Sequence, residues 1–318
     1  MVLNTENKTG DSVKEICYHF TNTHFNMGEF SSAWYIFNCV VNIVFSITAM
    51  AFNLVILFAI RRTPTLHTPS GTLLFGLALS DLGVGLIVHP LFFSQILAKV
   101  IRDQPLFCDA GIAVEIAANA LCIVSLLTVT AVSVDRYLAL RLHLRYGELV
   151  TIRRAILLLV GVWLSSSTFG SLWLWQHELV KIVAISIISV SLCIASYSYM
   201  NIYRIVQHHR SVIRVQISSV SQAFDKEEQE ATEINVQKIK KQAVGSFWVY
   251  CLLTVCFTPY LCTVAVIEAK GITSANRLSY ELGATLIFVN SSLNPLIYCW
   301  RLREVNEAVR QMLRSLHS

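Results

Sequence analysis

Seven apolar stretches of 18 or more residues constrain the fold of this 318-residue chain more than any other feature. An α-helix needs about 20 apolar residues to cross the hydrocarbon core of a bilayer. The sequence lacks the short alternating strands of a membrane β-barrel. Only 14% of the residues are charged, against about 25% in a soluble domain. We therefore predict an all-α membrane protein with seven transmembrane helices over 33–60, 69–97, 106–140, 153–175, 179–208, 236–268 and 277–300.

Lysine and arginine residues are distributed unevenly between the two sides of the predicted bundle. Cytoplasmic loops of membrane proteins carry an excess of these residues. If the N-terminus lies outside, only seven of the 25 basic residues lie on the outer side, among them Lys99 in an outer loop and Arg277 at the outer edge of span seven. The sequence thus predicts a multi-pass protein of the plasma membrane with an extracellular N-terminus and a cytoplasmic C-terminus. The basic residues flank the membrane instead of forming a stripe on a soluble domain, which gives no support to a nucleic-acid partner.

The chain divides into three predicted parts. Residues 1–32 form an extracellular segment, in which Asn7 begins an Asn-Lys-Thr glycosylation sequence. Residues 33–300 form the membrane domain. Its one long connection, 209–235, is either a solvated flexible linker or a partner-facing segment that extends both neighbouring helices. Residues 301–318 carry apolar side chains at helical spacing, which predicts an amphipathic helix on the inner leaflet, in contact with membrane lipids.

Asp81 is the only carboxylate that we expect near the middle of the membrane. A charge at that depth costs about 2.5–3.5 kcal/mol on insertion scales, so Asp81 is a candidate functional residue. One interpretation is a protonated acid that is hydrogen-bonded to its neighbours. The other is an ionised group that holds a cation with neutral oxygens. Residues at similar depth that can supply such oxygens to Na⁺ are Asn53, Ser125, Asn290 and Asn294.

Two adjacent charges, Asp135 and Arg136, end the third apolar stretch. Glu115 and Arg136 are 21 residues apart, about 31 Å along a helix, so one helix face carries an acid at its outer edge and an arginine at its inner edge. Consecutive helical residues diverge by about 100°, and Asp135 therefore meets Arg136 only if the guanidinium folds back. The pair is either a two-state element that exchanges partners or an interfacial pair that ends the helix.

Taken in chain order, short motifs on the seven spans resemble those of the rhodopsin-like (class A) G-protein-coupled receptors. The resemblance covers about residues 33–316. The matching residues are Asn53; Leu77 with Asp81; Asp135-Arg136-Tyr137; Trp163; Tyr199; Cys256-Phe257-Thr258-Pro259; and Asn294-Pro295-Leu296-Ile297-Tyr298.

The resemblance implies a cell-surface receptor that binds an extracellular ligand and activates heterotrimeric G proteins, and is not an enzyme. In such a receptor Asp135 holds Arg136 at rest, and Arg136 is freed to meet the G protein. Pro259 kinks span six so that its inner half can move outward. The residues that the resemblance assigns to coupling and switching are Asp135, Arg136, Tyr137, Tyr199, Phe257, Pro259, Asn294, Pro295 and Tyr298. It assigns an allosteric Na⁺ to Asp81, Ser125, Asn290 and Asn294.

Departures from the family pattern narrow the resemblance. The connection between spans four and five is very short and has no cysteine, and span five has no proline, which is most similar to the melanocortin receptors and their adenosine, cannabinoid and lysophospholipid sister groups. Without the usual loop cysteine, a bridge between Cys17 and Cys108 is expected, with two free thiols as the alternative. Ile239 stands where many members have an acid that restrains the arginine, which favours high basal activity.

The resemblance also suggests where a ligand binds and which ligands do not fit. Ala118 occupies the position of the acid that aminergic receptors need, which argues against monoamines. Phe288 replaces the lysine that binds retinal, which excludes light sensing by that chemistry. Peptide, nucleoside and lipid-like ligands remain open, and packing in the bundle core is the alternative role for the aromatic residues. The candidate pocket residues are Glu115, Asn119, Cys122, Phe257, Tyr260 and Phe288.

Three rival functions are weighed against the receptor. A transporter or channel predicts several charges within the membrane and broken helices repeated in two halves, and the sequence shows neither. A membrane enzyme needs a cluster of metal ligands or nucleophiles, whereas His89 is alone. The third rival is a receptor-like scaffold or heteromer partner without G-protein coupling, against which the Asp135-Arg136-Tyr137 motif argues. Arrestin and receptor dimers are further predicted partners.

Overall fold

The computed structural model describes residues 32–142, 145–219, 226–301 and 303–317, and most of these residues are helical. Seven described helices are long and apolar enough to cross a membrane, which confirms the predicted fold class. We call the end of the bundle that carries Asp135 and Arg136 the inner end, and the opposite end the outer end. The helices of spans one to seven are Ser32–Arg62, Pro69–Ile101, Gln104–Leu142, Ile152–Leu172, His177–Ser219, Lys226–Lys270 and Ser274–Arg301, and the eighth helix is Arg303–His317.

The helices of spans five and six are longer than the membrane requires. They run to Ser219 and begin again at Lys226, so most of the 209–235 connection is helical. The described part therefore extends both helices, and the flexible linker was wrong for it, whereas a partner-facing role of the segment stays a prediction. The segment contains no glycine or proline, and its Glu, Gln, Lys and Ala residues are good helix formers.

Span two has a local irregularity in its outer half. Residues Val84–Val88 form one turn of π-helix, directly before His89 and Pro90. A proline lacks the N–H that closes a helical hydrogen bond, so an irregular turn is expected on its N-terminal side. The Ser46 hydroxyl of span one donates to the carbonyl oxygen of Gly85 at 2.8 Å. A neighbouring span thus supplies part of the hydrogen bonding that the irregular turn needs in lipid.

Span three is the central helix of the bundle, because it packs against spans two, four, five and six. Leu126 of span three and Leu253 of span six are both almost completely buried in the main apolar core. Large apolar side chains on the outside of the bundle, such as Leu157 and Val255, are exposed. That arrangement suits a protein whose surrounding solvent is lipid. Span three therefore contributes side chains to contacts with four of the other spans.

The eighth helix is amphipathic, as the sequence predicts. Val305 and Ala308 are buried against the main core, whereas Glu307 and Arg310 on the opposite face are exposed. The helix contacts spans one and seven. Asn306 also donates its side-chain amide to the carbonyl oxygen of Cys299 at 2.6 Å. The helix is thus held on the bundle by protein contacts as well as by its apolar face.

Gly170 allows spans three and four to approach closely. A Cβ atom at this position would lie 2.7 Å from the carbonyl oxygen of Ile116 and 3.1 Å from the Cβ of Ala120. Gly161 lies in the same helix, and a Cβ atom there would meet nothing within 4 Å. Replacing either glycine by alanine changes the helix propensity in the same way, but only the change at Gly170 creates a clash.

We expect Gly170→Ala to lower the free energy of unfolding by about 1–3 kcal/mol, because the clashing oxygen belongs to a helix backbone that cannot rotate away. Gly161→Ala is the matched control, and it should leave stability unchanged or raise it slightly. Thermal unfolding of the detergent-solubilised protein measures both changes. Equal melting temperatures for the two variants would contradict the close approach of spans three and four.

Candidate functional site

A cavity opens at the outer end of the bundle, between spans two, three, five, six and seven. The space that it encloses, including open solvent at the mouth, is about 970 Å³. Most of its lining is apolar. The structure places all six predicted pocket residues on its wall: Glu115, Asn119, Cys122, Phe257, Tyr260 and Phe288.

Glu115 is the acid on the span-three wall of this cavity. Its Oε1 accepts from the Tyr280 hydroxyl at 3.3 Å, and its Oε2 accepts from the Asn119 amide at 3.4 Å. The Tyr260 hydroxyl donates to that of Tyr280 at 3.4 Å. The hydrogen-bond partners of the carboxylate are therefore neutral. Ala118 also lines the cavity, so the acid stands one turn further out than the position that the resemblance gives for amine receptors.

A buried ion pair that the sequence analysis missed joins spans two and seven beside the cavity. The Lys99 ammonium donates to the Glu281 carboxylate, and the two residues are 4% and 6% exposed. The ammonium also lies over the rings of Tyr35 and Phe107, 5.7 and 5.2 Å from their centroids. Arg277 is buried nearby and donates to the Tyr35 hydroxyl at 3.5 Å.

The placement of Lys99 in an outer loop was therefore wrong, and Arg277, expected at the outer edge of span seven, is buried. Span two continues to Ile101 and span seven begins at Ser274, each several residues beyond the predicted apolar stretch. A stretch defined by apolarity stops at the first charges, although a buried partner lets the helix continue past them. The spacing of Arg277 and Glu281, four residues apart on one helix face, was the available signal.

Asp81 lies completely buried at the middle of the bundle. Its Oδ1 accepts from the Ser125 hydroxyl at 3.0 Å, and its Oδ2 accepts from the Asn294 amide at 2.8 Å. The Ser291 side chain is a further hydrogen-bond partner, which the sequence analysis missed. Asn290 is buried on the same span and makes no described hydrogen bond to Asp81. The structure thus brings together three of the four residues predicted for sodium.

Asp135 and Arg136 form a buried ion pair at the inner end, 4% and 5% exposed. The guanidinium does fold back, and its Nε donates to the Asp135 Oδ2 at 3.0 Å. Asp135 also accepts from the Ser70 hydroxyl at 2.7 Å and from the Tyr146 hydroxyl at 2.5 Å. Burial and the adjacent carboxylate raise the pKa of Tyr146 to about 12, so the phenol stays protonated and donates. Ser70 and Tyr146 carried no sequence signal for this role.

The other predicted switch residues lie at several places in the bundle. The Tyr199 hydroxyl accepts from Ser133 at 3.2 Å. Tyr298 is buried, and its hydroxyl has no described hydrogen-bond partner. Tyr137 is half-buried and accepts from Arg141 at 2.7 Å, away from the ion pair. The predicted prolines Pro259 and Pro295 lie inside spans six and seven, and the predicted aromatic residue Phe257 lines the cavity.

Two extracellular predictions fall on residues 1–31. Cys108 is disulfide-bonded, and the other seven described cysteines are free. Cys17 and the predicted glycosylation site Asn7 lie outside the described residues. The pairing of Cys17 with Cys108 therefore stays a prediction.

Comparison with known sequences gives three findings. The family described as 7 transmembrane receptor (rhodopsin family) matches residues 52–180 and 168–298. The histamine H2 receptor of Cavia porcellus is 24% identical over 296 residues, which cover 86% of this chain and 78% of that receptor. The D(4) dopamine receptor of Homo sapiens is 33% identical over 123 residues, which cover 38% of this chain and 29% of that receptor.

Comparison with solved structures supports the fold. Squid rhodopsin superimposes with a TM-score of 0.73 at 16% sequence identity, and the match covers 90% of this chain and 87% of that one. At this identity the likeness concerns the fold alone. It agrees with the seven-helix bundle.

We expect Lys99→Met to lower the free energy of unfolding by about 3–5 kcal/mol, because the Glu281 carboxylate is left buried without its ammonium partner. The double variant Lys99→Met/Glu281→Met should recover most of that loss, since two apolar side chains of similar volume replace the pair. A double-mutant cycle by thermal or denaturant unfolding measures the coupling. Strictly additive losses would show that the two side chains do not interact.

Proposed function

The chain belongs to the rhodopsin family of seven-transmembrane receptors, and from that premise we propose that it is a plasma-membrane receptor with an extracellular N-terminus. It binds an extracellular ligand in the outer cavity and activates heterotrimeric G proteins at the inner end. Members of this family are receptors and not enzymes, and the chain is a multi-pass membrane protein.

The ion pair between Asp135 and Arg136 is the observation that carries the proposal. A buried carboxylate that loses its only cation is strongly destabilised. Asp135, however, also accepts from the hydroxyls of Ser70 and Tyr146. When Arg136 turns away, the carboxylate keeps two hydrogen bonds, which lowers the cost of the exchange. The guanidinium is then available to the helix of a G protein, which makes the pair a two-state element.

The geometry of the cavity favours a ligand with a protonated amine. Glu115 faces the cavity with neutral hydrogen-bond partners, so a cationic group would gain a charge-assisted hydrogen bond there. Two relatives are named for histamine and dopamine, both of which are amines. Because Ala118 replaces the usual acid, the amine would be held one turn further out than in aminergic receptors.

Several finer predictions remain proposals from the sequence. The likeness to melanocortin, adenosine, cannabinoid and lysophospholipid receptors is one of them. High basal activity is another, because the side chain of Ile239 lies outside the described part of the structure. Arrestin, receptor dimers and specific lipids are proposed partners. A receptor-like scaffold without G-protein coupling is not favoured, since the Asp135-Arg136 pair has the geometry of a switch.

A sodium ion is proposed to bind beside Asp81. A cation fits there because oxygen atoms that can serve as ligands are buried close to one carboxylate. The Oδ1 atoms of Asn290 and Asn294 are both buried without a described hydrogen-bond partner. Asn294 reaches Asp81 through its amide nitrogen, which leaves its oxygen available. Ser125 supplies a hydroxyl oxygen to the same group.

We expect Asp135→Asn to raise ligand-free nucleotide exchange several-fold, because a neutral amide holds the Arg136 guanidinium less strongly than a carboxylate does. Arg136→Ala should reduce exchange to the background. GTP-analogue binding, measured in membranes with one G protein of each class, reports both effects. Asp109→Asn makes the same change at an exposed position of span three and serves as the control. Asp135→Asn and Asp109→Asn giving identical exchange with every G protein would disprove the switch.

Sodium should raise the melting temperature of the purified receptor by a few degrees relative to potassium at equal ionic strength, because an ion that binds only the folded state stabilises it. The difference should vanish in Asp81→Asn and shrink in Ser125→Ala. Thermal unfolding in NaCl and in KCl measures it. A sodium effect of the same size in Asp81→Asn would place the ion elsewhere.

A further inference from the structure

The outer cavity carries opposite charges on two of its walls. On the wall formed by spans two and seven, the charged side chains that line the cavity are Lys99, Arg277 and Glu281. This wall therefore presents two cations and one carboxylate. On the wall formed by span three, the charged side chain is the carboxylate of Glu115. Across the cavity, a more positive subsite faces a negative one.

The positive subsite has hydrogen-bonding capacity to spare. An ammonium has three donors, and the structure gives Lys99 one hydrogen bond, to the Oε1 of Glu281. The Oε2 of Glu281 is buried without a described hydrogen-bond partner. Lys99 and Glu281 are both more than nine-tenths buried, so the unused capacity is costly unless a further group enters. A carboxylate that reaches Lys99 would use the remaining donors.

The distance between the subsites follows from span three. The Lys99 ammonium lies 5.2 Å from the ring centroid of Phe107. Phe107 and Glu115 are eight residues apart on one helix, about 12 Å along its axis. The positive and negative subsites therefore lie about two helical turns, roughly 12 Å, apart along span three. Between them the wall is apolar, with Phe92, Ile96 and Phe288 among its residues.

We infer that the cavity binds an amphoteric ligand, with its amine at Glu115 and its carboxylate at Lys99 and Arg277. The amine lies deep in the cavity and the carboxylate lies nearer the mouth, with an apolar body between them. An extended chain advances about 3.3–3.6 Å per residue, so a free tripeptide with an apolar central side chain has the right length. The inference rests on the proposed function, because it concerns the ligand of the same cavity.

Each charge on the ligand pairs with an opposite charge on the protein. The amine compensates Glu115, whose described partners are neutral. The carboxylate compensates the more positive wall and shares the Lys99 ammonium with Glu281. A ligand with only an amine leaves the positive subsite unoccupied. A ligand with only a carboxylate leaves Glu115 without a cationic partner. A ligand that carries both charges should therefore bind more tightly than a ligand that carries only one of them.

Titration calorimetry on the purified receptor in nanodiscs tests this inference. The probes are the tripeptides Ala-Phe-Ala, Ala-Leu-Ala and Ala-Trp-Ala, each in its free, N-acetylated and C-amidated form. We expect at least one free tripeptide to bind about tenfold or more tightly than both of its blocked forms, as the loss of a charged hydrogen bond predicts.

Three variants assign each end of the probe to a subsite. Glu115→Gln should lower the affinity for the free tripeptide to that of the N-acetylated form. Arg277→Gln should lower it toward that of the amidated form. Glu281→Gln should raise the preference for the free form over the amide, because it removes the competing carboxylate, whereas a purely structural role would not raise it. Glu268→Gln, an exposed outer glutamate that does not line the cavity, is the control.

Two results would overturn the inference. If no free tripeptide binds at about millimolar concentration, or if amidation costs nothing, the positive subsite does not take a carboxylate. The second result leaves the proposed amine site at Glu115 intact. Failure of the receptor function itself is recognised separately, because nucleotide exchange and its dependence on Asp135 are measured at the inner end without any probe.

Discussion

The cost of placing a charge in lipid is the constraint on which the rest of this structure depends. Three buried carboxylates that the structure describes, those of Asp81, Asp135 and Glu281, meet it with partners on other helices. Asp81 of span two bonds to spans three and seven, Lys99 of span two pairs with Glu281 of span seven, and Asp135 of span three accepts from Ser70 of span two. The same contacts that make the charges tolerable tie the spans together.

Under the proposed function, these contacts also give the receptor its two states. An unpaired charge buried in the membrane is strongly unfavourable, so a charged side chain that leaves one partner must pair with another. At the inner end, the hydroxyls of Ser70 and Tyr146 keep Asp135 solvated when Arg136 leaves. At the outer end, a ligand can replace part of the interaction between Lys99 and Glu281. Glu115 and Arg136 lie on the same helix, span three. A displacement of that helix by a ligand at Glu115 can therefore reach Arg136 at the inner end.

Much of this arrangement was predictable from the sequence, because helix periodicity and depth are local properties. The seven spans follow from apolarity along the chain, and the resemblance to a receptor family adds the pairing of Asp135 with Arg136 and the six cavity residues. The ion pair of Lys99 and Glu281 was not predictable, since its members lie 182 residues apart and meet only through the relative rotation of two helices. The π-helical turn of span two and the contact from Tyr146 also depend on packing that no single stretch encodes.

The central claim is that the Asp135–Arg136 pair holds the inner end closed. Paramagnetic labels on non-natural amino acids at Ile152 and Val244, which are 40% and 44% exposed at the inner ends of spans four and six, measure the opening directly. In the unliganded protein the account predicts one dominant short distance, and in Asp135→Asn a shift of population to a longer one. Superimposable distance distributions in the two proteins would contradict it.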